Sequence, residues 1–147
     1  MAEPVLELND INVYYGAIHA LRDVSLTVNE GEVVTLIGCN GAGKTTTLTT
    51  ICGLMRTRTG SVRYRGQDVT SAATHKLVKQ GLVMAPEGRG IFPNLSVEEN
   101  LRIGAYARSD KPGVEKDLKH AYEIFPRLEE RKRQKGGTLS GGEQQML

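Results

Sequence analysis

The sequence predicts an α/β fold built around a phosphate-binding loop, and three observations predict it. Gly38-Cys39-Asn40-Gly41-Ala42-Gly43-Lys44-Thr45 fits the pattern G-x-x-x-x-G-K-[ST]. The apolar, β-branched run Val33-Val34-Thr35-Leu36-Ile37 stands before the loop as a buried strand would, and residues 45–52 after it lack Gly and Pro and support a helix. Strand-like alternation fills the chain ahead of the loop, whereas from Ser96 onward the apolar period is helical.

Each element has its own warrant. Residues 5–15 read as a strand in which Leu6 and Leu8 alternate with polar neighbours, and then Ile11, Val13 and Tyr15 alternate in shifted register. The shift near Asn9-Asp10 predicts a bend or bulge. Residues 20–28 form a second strand with Val24, Leu26 and Val28 on one face, closed by a turn at Asn29-Glu30-Gly31. The loop helix ends near Gly53, a C-cap residue. Residues 56–60 read as a polar turn, and 61–65 as a short strand with Val62 and Tyr64 on one side. Residues 74–80 form a short helix stopped by Gly81, and 82–85 another buried strand. A loop with two prolines follows at 86–93. Ser96 and Glu99 form a capping box ahead of a helix that carries Val97, Leu101, Gly104 and Ala105 on one face. A second helix spans 114–125, which Pro126 stops or kinks. The charge run at 129–135 mixes signs and reads as a solvated helix surface or loop.

The composition suits one soluble domain with a real core: 147 residues, 39% apolar and 24% charged. A net charge of +2 is too small to argue for nucleic acid. No apolar run reaches the length of a membrane span, and the N-terminus has no basic segment leading into an apolar one. Cys39 and Cys52 flank the loop and its helix, and the simplest reading is a reduced, cytosolic protein.

The loop's chemistry follows from its residue types. Gly38, Gly41 and Gly43 allow positive φ and close approach of backbone to phosphate. The amides through Asn40 and Ala42 turn inward as an anion nest at a helix N-terminus. Lys44 reaches the β- and γ-phosphates, Thr45 offers its hydroxyl to Mg²⁺, and Thr46 can serve the inner phosphates.

Far downstream stands Leu139-Ser140-Gly141-Gly142-Glu143-Gln144-Gln145. Ser140 and Glu143 make another capping box, so a helix starts here, and the two glycines leave its first N–H groups open, as phosphate binding requires. With the loop and this motif together, the chain resembles the nucleotide-binding subunit of ATP-binding cassette (ABC) transporters over essentially its whole length. The resemblance implies an ABC nucleotide-binding domain with a β-rich part and loop core at 1–86 and a helical subdomain at 87–147. It makes 139–145 the signature motif, whose Ser140, Gly141 and Gly142 contact ATP held by the loop of a second subunit. It makes Tyr15 the aromatic that stacks on adenine. The stretch from Pro86 to Leu101 is similar to that of the second ATPase of bacterial branched-chain amino acid importers, with urea-importer ATPases as close relatives.

Two positions depart from the family pattern. Glu87 stands where the family has a glutamine that touches Mg²⁺ and faces the membrane subunit; it keeps an oxygen at the same reach and adds charge. Cys39 replaces a proline. The family also has an apolar strand ending in Asp-Glu after the signature, then a switch histidine. Residues 1–147 hold neither, and His19, His75 and His120 stand elsewhere. The reading is therefore the N-terminal part of a cassette, cut at the signature. The complete protein would hydrolyse ATP with Mg²⁺ to drive amino acid uptake. Its implied partners are transmembrane permease subunits, a second ATP-binding subunit and, indirectly, a periplasmic amino-acid-binding protein. Its implied place is the cytoplasmic face of the bacterial inner membrane. Rival readings are a small phosphoryl-transfer kinase, a non-catalytic nucleotide-binding fragment, and a soluble cassette acting on DNA or ribosomes. The long β entry opposes the first, and the low charge opposes the last.

Overall fold

The computed structural model describes residues 4–88 and 90–147; Met1, Ala2, Glu3 and Arg89, the last within the loop read at 86–93, lie outside the described residues. The chain divides into two compact units, Met1–Met84 and Ala85–Leu147.

In the first unit, β1 (Pro4–Tyr15), β2 (Ile18–Asn29), β3 (Thr57–Tyr64) and β4 (Gln67–Asp68) form a four-stranded antiparallel sheet in the order β2-β1-β3-β4. Leu8, Ile11 and Val13 of β1 are buried with Leu21, Val62, Tyr64, Val69 and Leu77. Ile51 and Cys52, at the end of helix α1 (Lys44–Ile51), close the same core. Burial pushes the Cys52 thiol pKa up. The predicted bulge is present. Pairing with β2 slips between Leu8 and Ile11, and Asp10 takes a left-handed φ of 45°. The slip moves the apolar set from Leu8 to Ile11 and Val13 without turning it out to solvent.

The polar residues at 57–60 are strand rather than the predicted turn. Thr57 Oγ1 accepts from Asn12 N (3.1 Å) and donates to Asn12 O (3.0 Å). Asn12 Nδ2 lies 3.0 Å from Asp10 O, 2.8 Å from Asp23 Oδ1 and 3.0 Å from Thr59 Oγ1. Side chains thus replace ladder bonds lost at the bulge, a long-range pairing that local polarity does not announce. Gly60 (φ 86°) faces this bulge, and a Cβ there would lie 2.4 Å from both Asn9 O and Asp10 O. Gly60→Ala is therefore expected to cost roughly 2–4 kcal/mol, left-handed strain plus a backbone overlap. Urea unfolding measures it, and an unchanged midpoint would mean that the bulge yields freely.

Two predicted strands are not formed. Residues 33–37 are exposed, Val33 at 92% and Ile37 at 93%, and pair with nothing in the sheet. Residues 82–85 keep strand-like alternation, with Leu82 and Met84 packed on the core and Val83 68% exposed, but they also lack a ladder. Intrinsic β preference does not make a strand without a hydrogen-bonding neighbour, and no described strand runs beside either segment. Helix α2 (Thr74–Lys79) is held by the fully buried Leu77 and stopped, as predicted, before Gly81 (φ 91°).

In the second unit, α3 (Val97–Gly104) begins with the complete Ser96–Glu99 capping box, whose hydrogen bonds hold the Glu99 carboxyl below the usual glutamate range. Helix α4 (Lys111–Ile124) starts earlier than predicted because Pro112 is tolerated in a first turn. Pro126 ends α4 and opens α5 (Pro126–Glu130). Val97, Tyr122, Leu128 and Leu139 are the core. Arg102 pairs with Glu98 and Glu115, bracing α3 to α4 on the surface, where each pair adds little. The chain after Glu130 returns beside the start of α3: Val97 N donates to Gln134 O (3.0 Å) and Gly136 N to Leu95 O (2.8 Å). A 3-10 turn (Gly136–Thr138) then leads to α6 (Gly141–Met146). No helix among the described residues is long and apolar enough to cross a membrane.

Candidate functional site

The loop at 38–43 is a tight turn that leads into helix α1. Ala42 N donates to Cys39 O (3.1 Å), closing a turn, while Gly41 and Gly43 take φ of 84° and 87°. Gly43 is also the residue that caps α1. A Cβ at Gly43 would stand 2.5 Å from Leu21 Cδ2, and one at Gly38 2.9 Å from Ala42 Cβ. Gly43 is therefore required by space as well as by φ, Gly41 by φ alone, and Gly38 by space alone: the positive φ expected of Gly38 is not adopted. The helix they open is rich in threonine, and its hydroxyls bond back along the backbone: Thr47 to Gly43 O (2.9 Å) and Thr50 to Thr46 O (2.7 Å). That is how Thr47 and Thr50, 4% and 5% exposed, sit in the core without an orphaned hydroxyl.

Lys44 Nζ folds back over the loop and donates to Gly38 O and Cys39 O, each at 2.8 Å. Its ammonium has donor capacity beyond those bonds, and no carboxylate among the described residues forms an ion pair with it. A cation held over a glycine loop at the start of a helix fits a polyphosphate. The residues also fit Mg²⁺ of the kind that phosphates share. The described residues contain no cluster of three or more His, Cys, Asp or Glu, and Thr45 is exposed in the first turn of α1. Magnesium bound with nucleotide takes its ligands mostly from phosphate and water, with only one or two from protein.

Tyr15, at the end of β1, is 49% exposed, and its hydroxyl lies 3.4 Å from Thr46 Oγ1. The structure thus brings Tyr15 to the first turn of α1, the helix that the loop opens, through its hydroxyl and Thr46. The neighbouring Tyr14 points elsewhere, stacked on His19 at 4.1 Å with Arg58 over its ring. If Tyr15 stacks on a base, Tyr15→Ala lowers nucleotide affinity by about 1–3 kcal/mol, as for stacking on bases in nucleic-acid proteins. Tyr15→Phe is expected to be nearly silent. Titration calorimetry checks both, and a large loss in the Phe variant would assign the effect to the hydroxyl.

The remaining predicted residues lie in the second unit. Ser140 caps α6: its Oγ accepts from Glu143 N, and Glu143 Oε2 accepts from Ser140 N (2.9 Å). Those bonds lower the Glu143 pKa, with the charge of Arg131 adding to them. Ser140, Gly141 and Gly142 are exposed, and a Cβ at Gly142 would meet nothing within 4 Å. The helix N-terminus is therefore open. Glu87 is exposed in a turn at 87–88. Sequence reading missed Arg131. It sits in the charge run read as solvated, yet its Nε bonds Glu143 Oε1 at 2.9 Å. No local pattern marks this pairing, because its partners lie in different elements.

An open helix N-terminus capped by the L-S-G-G-E motif and a glycine-lined lysine loop define a nucleotide-binding cassette subunit, and comparison with known proteins agrees. Residues 21–147 match the ABC transporter family, and the chain belongs to that family. Among relatives, it is 46% identical over 143 residues to the high-affinity branched-chain amino acid transport ATP-binding protein BraG of Pseudomonas aeruginosa, covering 97% of this chain and 61% of BraG. It is 39% identical to the probable branched-chain amino acid transport ATP-binding protein LivF of Archaeoglobus fulgidus, covering 93% of this chain and 58% of that protein. A solved ATP-binding subunit of an ABC transporter superposes with a TM-score of 0.81 at 35% identity, over 97% of this chain and 58% of its own. The chain thus spans about three fifths of the length of each of these two curated relatives.

Proposed function

We propose that the full-length protein binds and hydrolyses ATP to power import of branched-chain amino acids through a membrane partner. The observation that carries the ATP reading is the Lys44 ammonium held at 2.8 Å from the carbonyls of a loop whose Gly41 and Gly43 are left-handed. The solute is supported by the names of BraG and LivF. In this reading the amides of 38–43 and Lys44 bind the phosphates, Tyr15 stacks on adenine, and Thr45 serves the metal, with Glu87 a second candidate ligand by its place in the family pattern. Mg²⁺, when bound, offsets phosphate charge as the γ-phosphoryl departs. Ser140 and the amides of Gly141 and Gly142 close the site of a second ATP-binding subunit. Catalysis is then mostly positioning and charge neutralisation. The other partners are permease subunits and, indirectly, a periplasmic binding protein; the place is the cytoplasmic face of the inner membrane. The division of labour follows residues 1–86 and 87–147.

The solute is tested by deleting the gene and measuring uptake of labelled leucine, isoleucine and valine. Loss of their uptake, restored by the gene and not by its Lys44→Ala variant, is expected. Intact uptake of all three with loss of urea uptake would assign a related importer instead.

Residues 1–147 expressed alone are expected to release no phosphate from Mg²⁺-ATP. They contain no Asp-Glu strand to orient water, and 33–37 leave apolar side chains exposed and open to aggregation. Steady turnover by this piece with a cooperative melt would show that catalytic groups inside it have been overlooked.

A further inference from the structure

The Ser140 cap is not self-standing. Glu143 returns one carboxylate oxygen to Ser140 N (2.9 Å), while its other oxygen takes Arg131 Nε (2.9 Å). The Glu143 side chain is only 12% exposed and that of Arg131 35%. Arg131 Nη1 also donates to Gln134 Oε1 (3.1 Å). Gln134 Nε2 in turn donates to Thr138 Oγ1 (2.9 Å) and lies 3.2 Å from Thr138 O. Thr138 stands two residues before Ser140. One guanidinium therefore grips the signature helix from within, through Glu143, and the 3-10 turn that delivers it, through Gln134 and Thr138. α6 is six residues long and buries none of them; Leu139 before it and Leu147 after it pack on the core, and polar contacts hold the turns between. A rigid planar fork can fix the direction of α6 by holding two acceptors in set directions, whereas a lysine at the same place would hold them with a flexible point charge.

We propose that Arg131 is a positioning residue for the signature motif: by holding Glu143 and Gln134 together it aims Ser140 and the Gly141–Gly142 amides at the nucleotide of the partner subunit. The proposal rests on the signature acting across a dimer. It predicts a defect that appears only when two subunits close on ATP, and that depends on the charge of Glu143.

The test uses the full-length protein. Arg131→Ala is expected to leave ATP affinity of the monomer and the melting temperature near the parent's. It should weaken ATP-driven dimerisation and lower kcat about 10- to 100-fold, the effect of displacing a binding element by about an ångström. Arg131→Lys should recover part of the loss. Glu143→Gln keeps a side chain able to close the capping box but lacks the charge that Arg131 grips. In that background, Arg131→Ala should add little. Ser140→Arg serves as the control for the underlying reading. If Ser140→Arg blocks dimerisation while Arg131→Ala turns over like the parent, the Arg131 proposal is overturned and the signature reading stands. If neither affects dimerisation, the signature reading itself fails. Fully additive losses for Arg131→Ala and Glu143→Gln, or a loss of stability equal to the loss of activity, would also overturn the positioning role.

Discussion

Lys44→Ala is expected to abolish ATP turnover by the full-length protein and to weaken ATP binding. The nucleotide's β- and γ-phosphates bring dense negative charge to a loop whose other donors are backbone amides. Lys44 Nζ, now 2.8 Å from Gly38 O and Cys39 O, is the loop's full positive charge. Removing one preorganised donor from a site of developing charge costs about 10²–10³ in rate, and a cation facing a phosphoryl group costs more. The side chain is half-exposed and its bonds go to loop carbonyls, so the melting temperature should hold. Phosphate release by the purified variant is the measurement. Turnover equal to the parent's would remove the phosphate-loop assignment.

The second large effect separates the two halves of the proposed site. Gly141→Asp puts a carboxylate into the first turn of α6. For the isolated helix this is favourable, because a negative charge there complements the helix dipole. For a γ-phosphate arriving from a partner subunit it is repulsive, and it fills space that Gly141 leaves open. The variant is therefore expected to fold and to bind ATP as a monomer, yet to fail to dimerise on ATP and to lose turnover. Ser140→Arg should do the same, with an added loss of about 0.5–2 kcal/mol from the missing N-cap. Sedimentation with and without ATP distinguishes the outcomes. Either variant dimerising like the parent would rule out a role in trans.

How much of this was legible in the sequence depended on how local the cause was. The bulge near Asp10 showed as a shift in alternation. Both capping boxes showed as S-x-x-E, and the loop showed as a fixed spacing of glycines and lysine. Each is decided within a few residues. Residues 33–37 and 82–85 carry strand composition but find no ladder, because pairing is a property of neighbours and not of the segment. Residues 57–60 erred the other way: their polarity suggested a turn, but Asn12, far off in the chain, draws Thr57 and Thr59 into β3. Arg131 was hidden for the same reason, a charge in a charged run whose partner, Glu143, was already explained by its cap.

The most direct test of the central claim is calorimetric titration of the full-length protein with ATP, ADP and AMP in the presence of Mg²⁺. Recognition by the Gly38–Lys44 cradle predicts saturable binding of ATP and ADP at one competing site, strongly weakened in Lys44→Ala, with AMP binding far more weakly because it lacks the phosphates the loop holds. AMP binding as tightly as ATP, or ATP binding unchanged in Lys44→Ala, would contradict the account.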